Sequence, residues 1–411
     1  MDYNTIAETL DQVRTSSQQS ETDAWSLYQA LEQVSDGRKK RGVRYRLALI
    51  LTLLVLGKLA GETSLSGIAQ WVRERKQFLA HELHLPRTRF PCVATYSYVL
   101  QHVDAEEVTQ VLYHFFTQRE ARKRCGSEPS RLLSQNGGEA HAHVALDGKT
   151  LRGTLKHESA EQGPVHLLSL YETSTGTVLA QHQVQQKENE ISAVKTWLQA
   201  FQVPGRIVSA DAMHTQRCFC AMLRRFQSHY LLIAKKNQPQ LYDDLQLFFE
   251  DPSADCSGWQ SAKSCDKGHG RLETREITTS TDLNSFFERE WAGIAQVFRL
   301  ARSVCRKGQI SHEVVYGLTS LSPKQADPAR LLQLNRAHWQ IENRLHWRRD
   351  VTLGEDHCQV RTGSAPQALA ALNNAVLSLA DALHVSNLAA QMRTFDAHPE
   401  QALALLLAAN F

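Results

Sequence analysis

From residue 1 to about Arg122 the apolar positions recur at helical spacing. Ile6, Leu10 and Val13, then Trp25, Tyr28 and Leu31, mark two short helices on either side of a Ser/Gln-rich stretch at 16–20. From Arg44 to about Gly57 the chain predicts a buried helix, apolar from Leu47 onward. Ser64 or Ser66 can cap another helix running to about Leu79, the stretch from Pro86 to Pro91 is a loop, and a further helix pair runs through Arg122. A Ser-, Gly- and Asn-rich segment at 125–140 is the candidate linker.

Beyond that linker the pattern changes from helices to strands. Strands are expected at 143–146, 165–171 and 178–184, the last two joined through the turn Ser174-Thr175-Gly176. Asn189 can cap a helix at 190–202, and 206–210 is a further strand. A helix at 215–225, a strand at 230–234 and a helix at 241–250 complete the order β-β-β-α-β-α-β-α. Three successive strands followed by alternating helix and strand is the element order of a ribonuclease H-like fold. The stretch 259–322 is strand-rich again, with candidates at 271–278, 293–304 and 313–319, and helical spacing resumes over 329–349 and 367–411. The expected class is therefore α/β: a ribonuclease H-like mixed sheet with a β-rich insertion, preceded by an all-helical domain. The boundaries are 1–124 for the helical domain, expected to bind DNA or else to serve as a packing bundle, 140–258 for the first part of the core, 259–322 for the insertion and 323–411 for the second part.

Composition narrows the class only a little. Hydrophobic residues at 42% and charged residues at 22% exclude a disordered or fibrous chain. The formal charge is only +3, but cations cluster at Arg38, Lys39, Lys40, Arg41, Arg44 and Arg46, and again at Arg119, Arg122, Lys123 and Arg124, as solvated helix ends or as nucleic-acid contacts. Eight cysteines without Cys-x-x-Cys spacing argue for reduced thiols and against a structural zinc. The most apolar run, Leu47 to Leu56, is too short for a membrane span, and the polar, acidic N-terminus carries no targeting pattern. The expected location is the cytoplasm, on the nucleoid when DNA is bound.

The candidate chemistry lies at strand ends. Asp147 closes the apolar run Val144-Ala145-Leu146 and is followed by Gly148, and Asp211 closes Ile207-Val208-Ser209-Ala210 in the same way. If the two strands are parallel neighbours, both carboxylates stand at one edge; taken singly, either is an ordinary turn former. Glu342 lies in a helical stretch where His338, Glu342, Leu345 or His346, and Arg349 share a face. Oxygen ligands alone suit Mg2+ or Mn2+, and two such ions can drive an in-line displacement at phosphorus.

Several blocks carry a family resemblance: 145–153 (Ala-Leu-Asp-Gly-Lys-Thr-Leu-Arg-Gly), 187–191 (Lys-Glu-Asn-Glu-Ile), 210–216 (Ala-Asp-Ala-Met-His-Thr-Gln), 236–239, 268–275, 338–343 (His-Trp-Gln-Ile-Glu-Asn), His346-Trp347 and 354–356. Together the chain resembles the DDE transposases of bacterial insertion sequences, in particular the group containing the H-repeat-associated proteins. The resemblance implies that Asp147, Asp211 and Glu342 are the catalytic, metal-holding triad for two Mg2+ or Mn2+ ions. It implies that the β insertion precedes the Glu helix and that the substrate is double-stranded DNA with terminal inverted repeats, joined to target DNA, with a homodimer expected on DNA. The wider class carries a Tyr, Arg, Glu, Lys signature on the Glu helix, onto which Asn335, His338, Glu342 and Arg349 fall, three of them departing. Lys149, Arg152, Lys235, Lys236, His338 and Arg349 are the candidate phosphate contacts, with surface solvation the alternative. Asn189 is read as a helix N-terminus, while for Glu190 a helix N-terminus and a supporting role both stay open; Glu355 and Asp356 are weaker rivals of Glu342, and His141-Ala142-His143 is a coincidental likeness to the paired metal histidines of single-strand nucleases. Two other functions stay open: a nuclease of the same fold that cuts without joining, and a DNA-binding regulator that has lost catalysis.

Overall fold

In the computed structural model, residues 26–39, 41, 43–126, 141–155, 163–185, 188–201, 203–251, 255–268 and 270–408 are described. The helix expected around Ile6 to Val13 and most of the expected linker lie outside them. The described N-terminal part is helical: α1 (Leu27–Leu31), α2 (Leu47–Leu59), α3 (Leu65–Glu74), α4 (Lys76–Glu82), α5 (Val93–His102) and α6 (Ala105–Gly126). All 13 residues of α2 are buried, as a helix without a polar face requires. Gly57 lets α3 approach it, because a Cβ there would stand 2.9 Å from Ile68. Ser64, not Ser66, is the cap of α3, its hydroxyl accepting from Gly67 N. That helix stops at Glu74 and α4 restarts at Lys76, in place of the single expected helix to Leu79.

The strands are β1 (His143–Thr150), β2 (His166–Glu172), β3 (Thr177–Val184), β4 (Ile207–Ala210), β5 (His229–Ala234), β6 (Gln260–Gly268), β7 (Arg271–Ser280), β8 (Gln296–Arg306) and β9 (Gln309–Thr319). Between and after them come α7 (Glu190–Ala200), α8 (Arg217–Arg225), α9 (Pro239–Glu250), α10 (Asn284–Phe287), α11 (Pro328–His338), α12 (Ala365–Ala382), α13 (Leu388–Ala397) and α14 (Pro399–Leu407). They form one sheet in the order β3-β2-β1-β4-β5-β9-β8-β7-β6, with β1, β4 and β5 mutually parallel and the other pairs antiparallel. The strands of the 259–322 stretch are therefore no separate layer: β9 pairs with β5, Leu231 opposite Thr319, and β8, β7 and β6 prolong the same sheet.

Two large apolar cores lie on opposite faces of β1, and a smaller one packs α11 against β4, β5, β7 and β8. Val144 and Leu146 of β1 point into one, filled by residues of α7, α8 and α9. Ala145, between them, points into the other, as strand alternation dictates. This second core is built from the N-terminal helices together with α12, α13 and α14, so the first and last thirds of the described chain share one interior. Among the described residues no helix is long and apolar enough to cross a membrane.

Candidate active site and metal centre

Parallel pairing of β1 with β4 sets Leu146 opposite Ala210, so Asp147 and Asp211 each follow the last matched pair and emerge side by side. Asp147 is only 9% exposed; its Oδ1 accepts from Gly148 N at 2.8 Å, while Oδ2 has no hydrogen-bond partner. Burial, then the neighbouring Glu342 and Asp211, push its pKa well above the ordinary carboxylate range. Asp211 is exposed, and the His338 imidazole, 3.9 Å away, holds its carboxyl below that range. His338 is itself steered by Ser209, which also meets the buried His143. His143 is bound to Ser209 and Thr173 and kept neutral by burial, its pKa lowered to about 3; His141 instead meets the Gly205 carbonyl. The two histidines therefore do not act as a pair.

The helix expected over 329–349 is regular only to His338. The chain then continues in π-helical turns, Ile341–His346 and Arg348–Thr352, a form often found at functional sites. These turns carry Glu342 to Asp147. Asp147, Glu342 and His346 each bring a ligand atom within 4.8 Å of the others. The His346 contact is the main influence that draws the Glu342 pKa below its ordinary value. Two acids in contact, one of them buried with an unpartnered oxygen, are costly unless a cation joins them, so the paired carboxylates fit a divalent ion.

Long-range ion pairs fix the π-helical segment. Arg348 grips Asp381 of α12 through two bonds of 2.8 and 2.7 Å, and Arg344 adds a third at 3.3 Å. Arg349, 0% exposed, is bound by Glu355, which also accepts from Asn373. Burial opposes the charge on Glu355, yet Arg349 overrides it and leaves the acid below its usual range. Lys149 reaches Asp350 at 2.6 Å and lies 3.9 Å from Asp356, tying β1 to the same segment. Two expectations are thereby corrected: Lys149 and Arg349 face carboxylates inside the protein, because a buried cation needs a fixed counter-charge, and are not presented to a phosphate. Glu355, the rival third acid, is committed to Arg349, and Asp356 lies beside Lys149 and Arg152. Arg152, Lys235 and Lys236 are exposed, and His338 is half-buried. Asn335 is buried and donates to the Leu331 carbonyl.

The block at 145–153 acquires a reason residue by residue. A Cβ on Gly148 would fall 2.6 Å from His166 Nε2 and 2.7 Å from a Glu190 oxygen, and one on Gly153 only 2.2 Å from the Cys358 carbonyl. Glu190 does more than begin a helix. Asn189 is the N-cap of α7, but Glu190 accepts from His166 at 2.7 Å and His214 at 2.8 Å, pinning the turn after Asp211 to β2. Burial works against its charge, and the two imidazoles overcome it and lower its pKa to about 2. Sequence patterning does not single out His166, and it places His346 on the face of Glu342 and Glu190 at a helix start without giving either a defined role. The available signal is a Glu followed four positions later by a His, and a Glu and a His within the recognised blocks. Beside Asp211 a cavity of about 340 Å³ opens between Lys235, His338, Trp339 and the arginines of β7 and β8, Arg271, Arg275 and Arg302. Trp339 and Trp347, flanking Glu342, are both exposed.

Residues 138–379 match the family described as Transposase DDE domain, and residues 28–116 match the one described as DDE_Tnp_1-associated. Among curated proteins, "Putative transposase YncI" of Escherichia coli O157:H7 is 26% identical over 356 residues, 86% of this chain and 87% of that one. "H repeat-associated putative transposase YhhI" of Escherichia coli K12 is 27% identical over 240 residues, 57% of this chain and 63% of that one. Among solved structures, a piggyBac transposase synaptic complex with hairpin DNA aligns over 93% of this chain and 76% of that one, at 11% identity and a TM-score of 0.40.

Proposed function

Because the chain belongs to the Transposase DDE domain family, we propose that it is an active DNA transposase that cleaves insertion-sequence ends and joins them to target DNA. The observation that carries this reading is the convergence of Glu342 on Asp147, with Asp211 in the adjacent register position. The strand order β3-β2-β1-β4-β5 supports a ribonuclease H-like core beneath it.

Asp147, Asp211 and Glu342 would hold two divalent ions, Mg2+ or Mn2+, whose chemistry is to activate the attacking water or 3′-hydroxyl and stabilise the departing 3′ oxygen. The chain's own groups do the placing. Gly148 N orients Asp147, the Glu190 bridge fixes the turn after Asp211, and the ion pairs to Asp350, Asp381 and Glu355 hold the segment that carries Glu342. Arg152, Lys235 and Lys236 stand exposed to backbone phosphates, and the exposed rings of Trp339 and Trp347 offer stacking surface beside the acids. The N-terminal helices are read as a DNA-binding unit, and two ends held together call for a homodimer on DNA.

The test is end cleavage in Mg2+ on duplexes bearing the element's inverted repeats. Asp147→Asn is expected to lower the rate by more than the roughly 10–100-fold lost when a group behind a metal ligand is removed. It should also raise the melting temperature of the metal-free protein, because a buried acid beside two others is neutralised. Cleavage by a folded Asp147→Asn protein at the unaltered rate would sink the proposal. Strand transfer from pre-cleaved ends separates a transposase from a nuclease that only cuts.

A further inference from the structure

The acids of the candidate centre are not equally placed. Asp147 and Glu342 share their surroundings with His346, whose Nδ1 stands 3.4 Å from Asp147 Oδ2 and 3.6 Å from Glu342 Oε2. The Asp211 carboxylate lies outside this group and faces His338. His346 is 4% exposed, one helical turn beyond Glu342, and Asp147 Oδ2 opposite it makes no hydrogen bond. The imidazole is therefore held at the acids without being consumed by a hydrogen bond to that oxygen. Cation bonds of about 2.0–2.2 Å to nitrogen and oxygen set neighbouring ligand atoms about 3.0–3.5 Å apart, close to the separations found here.

We propose that the two cation positions differ in chemistry: one is held by oxygens of Asp147 and Asp211, the other by Asp147, Glu342 and the Nδ1 nitrogen of His346. This rests on the metal-dependent reading above and deepens it. An imidazole in the set favours a transition-metal ion over Mg2+ or Ca2+ at that position, while the all-oxygen position suits Mg2+; Mn2+, a paramagnetic stand-in for Mg2+ that also accepts nitrogen, is the probe. His346 is then a ligand in its own right, and the centre is a mixed carboxylate and histidine site.

The experiment uses the full chain with Mn2+ alone, without DNA, read by pulsed electron paramagnetic resonance for nitrogen coupling. The wild-type protein is expected to show coupling from one imidazole 14N. His346→Gln should abolish it and weaken Mn2+ binding about 10-fold or more, a cost at least matching that of losing a group behind a ligand. His338→Ala should leave the coupling in place. Mn2+ that binds in an Asp147-dependent way with no 14N coupling overturns the nitrogen ligand and leaves the carboxylate centre standing. Coupling that survives His346→Gln and disappears in His338→Ala overturns it too, moving the nitrogen to the Asp211 side. Mn2+ affinity untouched by Asp147→Asn overturns the metal-dependent function itself. Melting curves establish that each variant is folded, and the wild-type spectrum stands as a test without any of them.

Discussion

The β1–β4 edge and the π-helical segment 341–352 deliver acids to the same spot by different means. On the sheet, backbone pairing alone sets Asp147 beside Asp211, and the strands are buried on both faces. On the segment, Glu342 owes its place to side chains drawn from far along the chain, with Asp350, Glu355 and Asp381 answering Lys149, Arg349, Arg344 and Arg348. The difference teaches that one wall of the centre is fixed by hydrogen-bonded register and the other by ion pairs, so the second is the one that substitution can loosen without touching any of the three acids.

The sharpest challenge to that contrast is Glu355→Ala. It leaves Arg349 buried without a counter-charge and should cost about 3–5 kcal/mol in urea unfolding. It should also weaken Mn2+ binding although every ligand remains; unchanged affinity would mean that Glu342 is positioned without the pair. Lys149→Met comes next. Removing the cation between Asp350 and Asp356 should destabilise by about 1–3 kcal/mol, with the salt dependence of DNA binding unaltered. A reduced salt slope would return Lys149 to the phosphate contacts.

Glu190→Gln probes the sheet wall through pH. Glu190 titrates near 2 when folded, below its unfolded value of about 4.3, so its stabilisation is complete above that value and is lost as pH falls towards 2. The difference in urea midpoint between wild type and Glu190→Gln should hold level from pH 6 to about 4.3 and shrink below that as pH falls towards 2; a difference independent of pH contradicts the bridge to His166 and His214. Smallest in effect is Arg152→Ala. With its side chain exposed, it should leave stability unchanged and reduce the salt slope of DNA binding by about one.

The same contrast divides what a sequence can reveal from what it cannot. Apolar alternation ending in an acid is a local pattern, so β1, β4 and their carboxylates are legible in the residues alone, as are the Asn189 cap and the strands at 271–278 and 313–319. The end of α11 at His338 is not, because helical spacing continues past it, and the turns beyond are shaped by Arg348 and Arg349 reaching residues 6 to 33 positions away. Lys149 and Arg349 mislead for the same reason: a cation in a sequence announces its charge and not its partner. Nor does any local pattern reveal that β9 pairs with β5, so that the strands of 259–322 prolong the central sheet.

The interior shared by α2 and α12 has a consequence for synthesis. A ribosome that has just produced Leu47–Leu59 has made a helix with no face fit for water, and one of its covering partners is encoded more than 300 residues later. Until Ala365–Ala382 emerges, neither that helix nor the Asp381 clamp on the Glu342 segment can be completed. A chain cut short before residue 365 would therefore leave part of α2 uncovered and the Glu342 segment without its clamp.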